Sequence, residues 1–146
     1  VIIKGYFHKD KSPFVDVLLE IPNLNLRRKI PFLVDTGSPA TILSERDVRK
    51  LHLNYDKLEP ANGNVIGLGG FAKTYILKNV KLHFFTKTES ASILLDELFV
   101  YRNIDKDRDI INQIPSIMGR DVLKEFTLIY NEKKNNISLK KQKKRK

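Results

Sequence analysis

Cysteine is absent from the 146 residues. That excludes a disulfide framework, a thiol nucleophile, an iron–sulfur cluster and a thiolate zinc site. Histidine is scarce as well: His8, His52 and His83 are scattered, with none of the close spacings of metal ligands. Neither a metal nor a cofactor is therefore expected. No apolar run approaches the roughly 18 residues of a membrane span. No Ser/Gly-rich linker divides the chain, and no segment repeats. A recognisable leader is also missing, which gives a cytoplasmic expectation. The chain opens on Val1 and not on Met, as a chain trimmed upstream would.

What remains is an ordinary globular composition, 41% hydrophobic and 30% charged. A chain of this length makes one domain and buries a core without covalent staples. Charge is unevenly spread. Lys and Arg number 27 against 17 Asp and Glu, a net +10, and six of the basic residues fall in the last seven, Lys140 to Lys146. The rest of the chain has 21 basic against 17 acidic residues, a net +4. A run of like charge repels itself, so the reading is one folded domain over residues 1–139 and a disordered basic tail over 140–146. Such a tail can touch nucleic acid or an acidic surface through phosphate contacts. No recognition helix, zinc finger or RNA-binding aromatic motif accompanies it, and a solvated tail is the plainer reading.

Short strands dominate the pattern. Apolar or alternating stretches predict strands over residues 1–7, 14–21 and 29–34, with a turn marked by Asn23 and Asn25. Residues 75–84 predict a strand pair broken near Lys78-Asn79, and 93–95 with 98–101 a second pair around Asp96-Glu97. The charged stretch 105–109 reads as a loop. Two helices are expected. Ser44 with Asp47 three residues on is a capping-box variant that starts the first, with Val48 and Leu51 on one face. The second covers residues 120–126, with Val122, Leu123 and Phe126 apolar, before strands at 127–130 and 137–139. Many short strands with one or two short helices make a mostly β barrel or sandwich.

The most informative segment is Phe32-Leu33-Val34-Asp35-Thr36-Gly37-Ser38. An apolar strand delivers one carboxylate into a turn of hydroxyl residues and glycine. Gly37 allows a backbone conformation closed to other residues and leaves room beside the acid. Thr36 and Ser38 supply hydroxyls to hold the loop and the carboxylate. An ordinary Asx turn would look similar, but a solvent-exposed turn needs no apolar lead such as residues 30–34. One carboxylate cannot easily be general acid and general base at once. Two carboxylates that share a proton can, because like charges about 3 Å apart cannot both ionise. This chain has one such triplet and no room for a second lobe, so a pair requires a second Asp35 across a two-fold axis.

The second segment is Ile66-Gly67-Leu68-Gly69-Gly70-Phe71. Gly67, Gly69 and Ala72 fit a dinucleotide fingerprint, which must open a helix. The residues that follow, Lys73 to Leu77, are β-branched, aromatic and aliphatic, so a β-hairpin with a glycine-rich tip fits better. Such a hairpin can close over an extended peptide or carry no ligand at all. Ile66, Leu68 and Ile42 are candidates to line apolar pockets; each is equally acceptable in a core.

With these two segments, the sequence resembles the retropepsin-like aspartic proteases, the single-lobe relatives of retroviral protease. Ile117-Met118-Gly119-Arg120-Asp121-Val122-Leu123 is similar to that family's second signature, in which two apolar residues, Gly and often Arg precede a short helix and a strand. Order and spacing agree from about residue 30 to 139. The family is a common illustration of a proton shared between two carboxylates. The resemblance implies a retropepsin-like acid protease barrel with one lobe per chain. It also implies a homodimer that hydrolyses peptide or protein substrates through a water activated by the Asp35 pair. Thr36 would lock the two turns together, and Gly37 would contact the substrate backbone. Residues 66–71 would form the flap, and Ile117 and Met118 would pack beneath the catalytic turn.

Retroviral members carry acidic residues soon after the triplet, one of which pairs with the Arg of the second signature. Here those positions are Pro39 and Ala40, so Arg120 needs another partner. The long stretch 86–115 and the Ser44 helix are closer to cellular and microbial members. A non-catalytic peptide-binding or dimerisation module with a basic tail is the rival reading, since fold does not fix function.

Overall fold

The N-terminal apolar stretch makes two short strands, β1 (Ile2–Lys4) and β2 (Tyr6–Phe7), in the computed structural model, which describes residues 1–67, 70–103 and 107–141. Gly5 divides them. A Cβ there would lie 2.3 Å from the Phe14 carbonyl oxygen, and the Gly5 N–H donates to the Ile137 carbonyl at 2.8 Å. The chain changes sheets at this contact, which splits the single strand expected over residues 1–7.

Strands β3 (Pro13–Ile21) and β4 (Leu26–Val34) form an antiparallel hairpin, paired from Phe14↔Leu33 to Ile21↔Leu26. A 3-10 turn, Pro22–Leu24, joins them, closed by Asn25 at φ 53°. The ladder carries β4 back to Leu26, three residues before the expected start. Next come β5 (Ile42–Leu43), α1 (Glu45–Leu51) and a 3-10 turn at Tyr55–Lys57. Ser44 is the N-cap residue, but its side chain caps no backbone N–H; its hydroxyl donates to the Asp47 carboxylate at 3.4 Å.

Three long strands follow: β6 (Glu59–Gly67), β7 (Gly70–Phe85) and β8 (Ser90–Asn103). The two strand pairs expected here are in fact one continuous antiparallel ladder between β7 and β8. Lys78 lies opposite Glu97 and Val80 opposite Leu95, so the two polar interruptions fall at the same level of one hairpin. Asn79 absorbs the irregularity with a positive φ of 57°.

The charged stretch 105–109, expected as a loop, runs into α2 (Arg108–Ile111), because the Asp107 carboxylate accepts from the N–H groups of Asp109 and Ile110; residues 105 and 106 lie outside the described residues. Then come β9 (Ser116–Met118), α3 (Arg120–Leu123), β10 (Phe126–Asn131) and β11 (Asn136–Lys141). The last helix is one turn, shorter than expected, and Phe126 opens the following strand. Lys140 and Lys141, assigned from sequence to the tail, belong to β11. Their backbones pair with Ile2 and Phe126, and the Lys141 ammonium sits 5.4 Å from the centre of the Phe126 ring. The rest of the tail, residues 142–146, lies outside the described residues.

Eight strands join in the order β2-β3-β4-β9-β5-β8-β7-β6, and a further β3–β7 pairing folds this sheet back on itself. A smaller sheet, β1-β11-β10, covers one end. The molecule is thus mostly β, with a barrel-like lobe. Its core includes Phe32, Phe84, Met118, Leu98 and Val15, all fully buried. Burying each such side chain contributes about 1.5–3 kcal/mol. Two parallel pairings, β4 with β9 and β5 with β8, bring residues far apart in sequence side by side in the middle of the eight-stranded sheet. Among the described residues, no helix is long and apolar enough to cross a membrane.

Candidate active site

Strand β4 ends where its apolar lead ends, and Asp35 follows at the first position of a turn. The Asp35 N–H donates to the Met118 carbonyl at 3.0 Å, carrying the β4–β9 contact one residue beyond Val34↔Met118. The chain then turns sharply. The Ser38 N–H donates to the Asp35 carbonyl at 3.3 Å, and the Gly37 N–H donates to Asp35 Oδ1 at 2.9 Å. A backbone donor therefore holds the acid, in place of the hydroxyls expected for that role. The Ser38 hydroxyl instead donates to the Ala40 carbonyl at 2.7 Å.

Gly37 is not in the left-handed region that its motif suggested. A Cβ there would lie 3.2 Å from Asp35 Oδ1, so room beside the carboxylate is what favours glycine. Asp35 is half-buried, while Thr36 and Gly37 are exposed.

The second signature braces this turn from behind. The Arg120 N–H donates to the Ser38 carbonyl and its guanidinium Nη1 to the Thr36 carbonyl, both at 2.8 Å. The partner that Pro39 and Ala40 cannot supply is thus the backbone of the acid turn itself. Gly119 fits beneath with no space to spare: a Cβ would lie 2.3 Å from the Ala40 carbonyl oxygen and 2.8 Å from that of Ser38. Met118 is buried and Ile117 half-buried, next to β4.

Two further groups escaped sequence reasoning. Thr41, fully buried, donates its N–H and its hydroxyl to the Asp121 carboxylate at 3.0 and 2.6 Å, and the Gly119 N–H donates to the same hydroxyl at 3.1 Å. Asp47 is wholly buried; it accepts from Ser116 Oγ at 2.5 Å and has Arg46 Nε and Lys50 Nζ at 3.5 and 3.6 Å. A polar residue opening the apolar run Thr41-Ile42-Leu43 is the one signal that pointed to the first group. For the second, the Ser44-Asp47 capping pattern marked the acid but not its partner Ser116, which is 69 residues away.

One face of the sheet beside the acid is open and apolar. Strand register links Phe14, Leu33, Ile117, Ile42, Phe99 and Ile76 across five strand pairings, and paired residues share a face. Leu33, Ile117, Ile42, Phe99 and Ile76 are half-buried, whereas their sequence neighbours Val34, Met118, Leu43, Val100 and Leu77 are buried in the core. Ile42, a pocket candidate, lies on this shelf. A cavity of about 560 Å³ adjoins it, lined in part by His8, Phe14, Leu33, Arg46 and Pro115.

The glycine-rich segment is a hairpin in its backbone. Ile66 pairs with Phe71 and Gly67 with Gly70 across β6 and β7. Gly69 and Gly70 are the expected tip; Gly70 opens β7, while Leu68 and Gly69 lie outside the described residues. Among the described residues, no group of three or more His, Asp or Glu is placed to hold a metal ion.

A family model described as aspartyl protease matches residues 23–97, which takes in the acid turn and the hairpin. Comparison with the curated proteins finds no match. Among solved structures, the chain is similar to a retropepsin-like aspartic protease from Rickettsia conorii. The two are 19% identical with a TM-score of 0.57, over 95% of this chain and 88% of that one. It is also similar to the EIAV protease complexed with the inhibitor HBY-793, at 19% identity and a TM-score of 0.46, over 81% of this chain and 90% of that one.

Proposed function

Since the chain belongs to the aspartyl protease family and has the retropepsin-like fold, we propose that it is an aspartic endopeptidase whose active site is completed by two copies. Each copy supplies one Asp35. The ionised member of the pair takes a proton from water, which attacks the scissile carbonyl carbon. The protonated member donates to the carbonyl oxygen, and a proton then passes to the leaving amine.

The observation that carries this reading is the contrast within one turn. Asp35 and Ser38 are fixed by backbone and by Arg120, while Thr36 and Gly37 beside them stay exposed. A rigid acid with an exposed rim suits a two-fold partner, with Thr36 making the reciprocal contacts. An extended peptide would lie along the shelf of Leu33, Ile117 and Ile42, covered by the hairpin of residues 66–71. Backbone bonds supply affinity in such a complex and apolar pockets supply selectivity.

Cleavage of a mixed fluorogenic peptide library tests the proposal. Asp35→Asn is expected to keep the parent's thermal melt and reduce cleavage to background. Specific activity is expected to fall on dilution as pairs separate. A mutant that cleaves at the parent's rate would show that Asp35 is not the catalyst.

A further inference from the structure

Three arginines from separate elements converge on one small cavity beside the β7–β8 ladder. The cavity, about 340 Å³, is lined by Glu45 and Arg49 of α1, Tyr55, Arg102 and Asn103 at the end of β8, and Arg108 of α2. Their charges do not cancel. Both oxygens of the buried Glu45 carboxylate are already engaged, Oε2 by Arg49 at 3.0 Å and Oε1 by the Asn103 N–H at 3.0 Å. The Asp107 carboxylate, next to Arg108, accepts from the N–H groups of Asp109 and Ile110 and is not among the residues that line the cavity. Among the described residues, no carboxylate lies within ion-pair distance of Arg102 or Arg108. Among the described residues that line the cavity, one acid against three guanidinium groups leaves an excess of two positive charges.

The wall is also built for a ligand's polar head and apolar body. The Arg102 guanidinium sits over the Tyr55 ring, 5.1 Å from its centre, and a guanidinium held by its face keeps its N–H edge for acceptors. Tyr55 is anchored in turn, its hydroxyl donating to the Tyr101 carbonyl at 2.7 Å. Ile111, buried, completes the apolar side.

We propose that this cavity binds a phosphate group, carried by the free inorganic ion or by a small phosphate ester. A tetrahedral phosphate offers terminal oxygens to guanidinium groups approaching from several directions, which a planar carboxylate does not. The volume exceeds one phosphate and leaves room for an organic substituent beside Tyr55. Arg102 is paired in register with Lys73 of β7, so a bound anion would tie α1 and α2 to the base of the glycine-rich hairpin. The proposal does not depend on the protease reading.

Titration calorimetry and thermal melts with inorganic phosphate and with phenyl phosphate, at fixed ionic strength in chloride, test it. Saturable one-to-one binding is expected, with a melting temperature that rises with ligand concentration. Arg102→Gln and Arg108→Gln are each expected to weaken binding about tenfold or more. Lys133→Gln, in the β10–β11 turn, is expected to leave it unchanged. Arg108 is exposed, so its variant carries the test if Arg102→Gln fails to fold. Tighter binding of phenyl phosphate identifies an ester as the ligand, and equal or weaker binding identifies the free ion. No saturation with either probe, or equal losses at Lys133 and at the two arginines, would overturn the proposal.

Discussion

Arg120 Nη1 donates to the Thr36 carbonyl oxygen at 2.8 Å, across 84 residues of sequence. This bond and the Arg120 N–H to Ser38 carbonyl bond grip both sides of the exposed glycine, so Arg120 braces a turn whose carboxylate it never touches. Arg120→Met keeps the stem and removes the donors. The variant is expected to fold and to lose about tenfold or more in kcat for peptide cleavage, since small misplacements of a reacting group are costly. Arg120→Lys restores charge without the planar fork and is expected to recover only part of the loss. Equal kcat in all three proteins would remove Arg120 from any positioning role.

Gly119 is predicted to tolerate no side chain. Its φ of −95° is open to any residue, so the obstacle is contact alone. The nearest atoms are backbone oxygens of the acid turn, which cannot rotate aside as a flexible side chain would. Gly119→Ala is expected to cost about 3 kcal/mol in a urea titration. A change within about 0.5 kcal/mol would show that the turn gives way.

The buried carboxylate of Asp47 is predicted to be structural. Asp47→Ala leaves Ser116 Oγ and the buried Arg46 Nε without it. A loss of about 3 kcal/mol is expected, in line with breaking a buried ion pair from one side. Because the group is out of solvent, the loss should be nearly the same at low and high salt, which denaturant titrations at two ionic strengths would check.

Alkaline pH should expose the environment of Tyr55. Burial first, and the neighbouring Glu45 carboxylate second, push its phenol above the ordinary range, against the opposing pull of Arg102. The folded protein therefore keeps this proton after an unfolded chain has lost it, at about pH 10. The associated stability is fully present below about pH 10 and lost as pH rises towards the folded value. Tyr55→Phe is expected to cost about 1 kcal/mol at pH 7 through the lost hydrogen bond. It should then show a shallower decline in melting temperature above pH 10 than the parent; matching slopes would contradict the assignment.

What could be read in the sequence was local. The acid turn declares itself through the apolar strand that leads into it, and the glycine hairpin through the β-branched residues that leave it. The helix after Ser44 also has its start in the right place. What could not be read depends on partners distant in sequence. Lys78-Asn79 and Asp96-Glu97 each look like a chain break until they are found opposite one another. The partners of Arg120, Asp121 and Asp47 stay hidden until the fold brings Thr36, Thr41 and Ser116 within reach. The charged stretch 105–109 hides its helix because the cap at Asp107 is one more acid among several. At Lys140 the charge pattern suggested a tail, but ladder pairing with Ile2 and Thr127 holds the backbone regardless of its side chains.

The link between Asp35 and Met118 also fixes when this site can exist. A ribosome delivers Asp35 well before Met118 and Arg120, so the acid loop emerges unbraced. It can be clamped only once β9 and the start of α3 have followed it out.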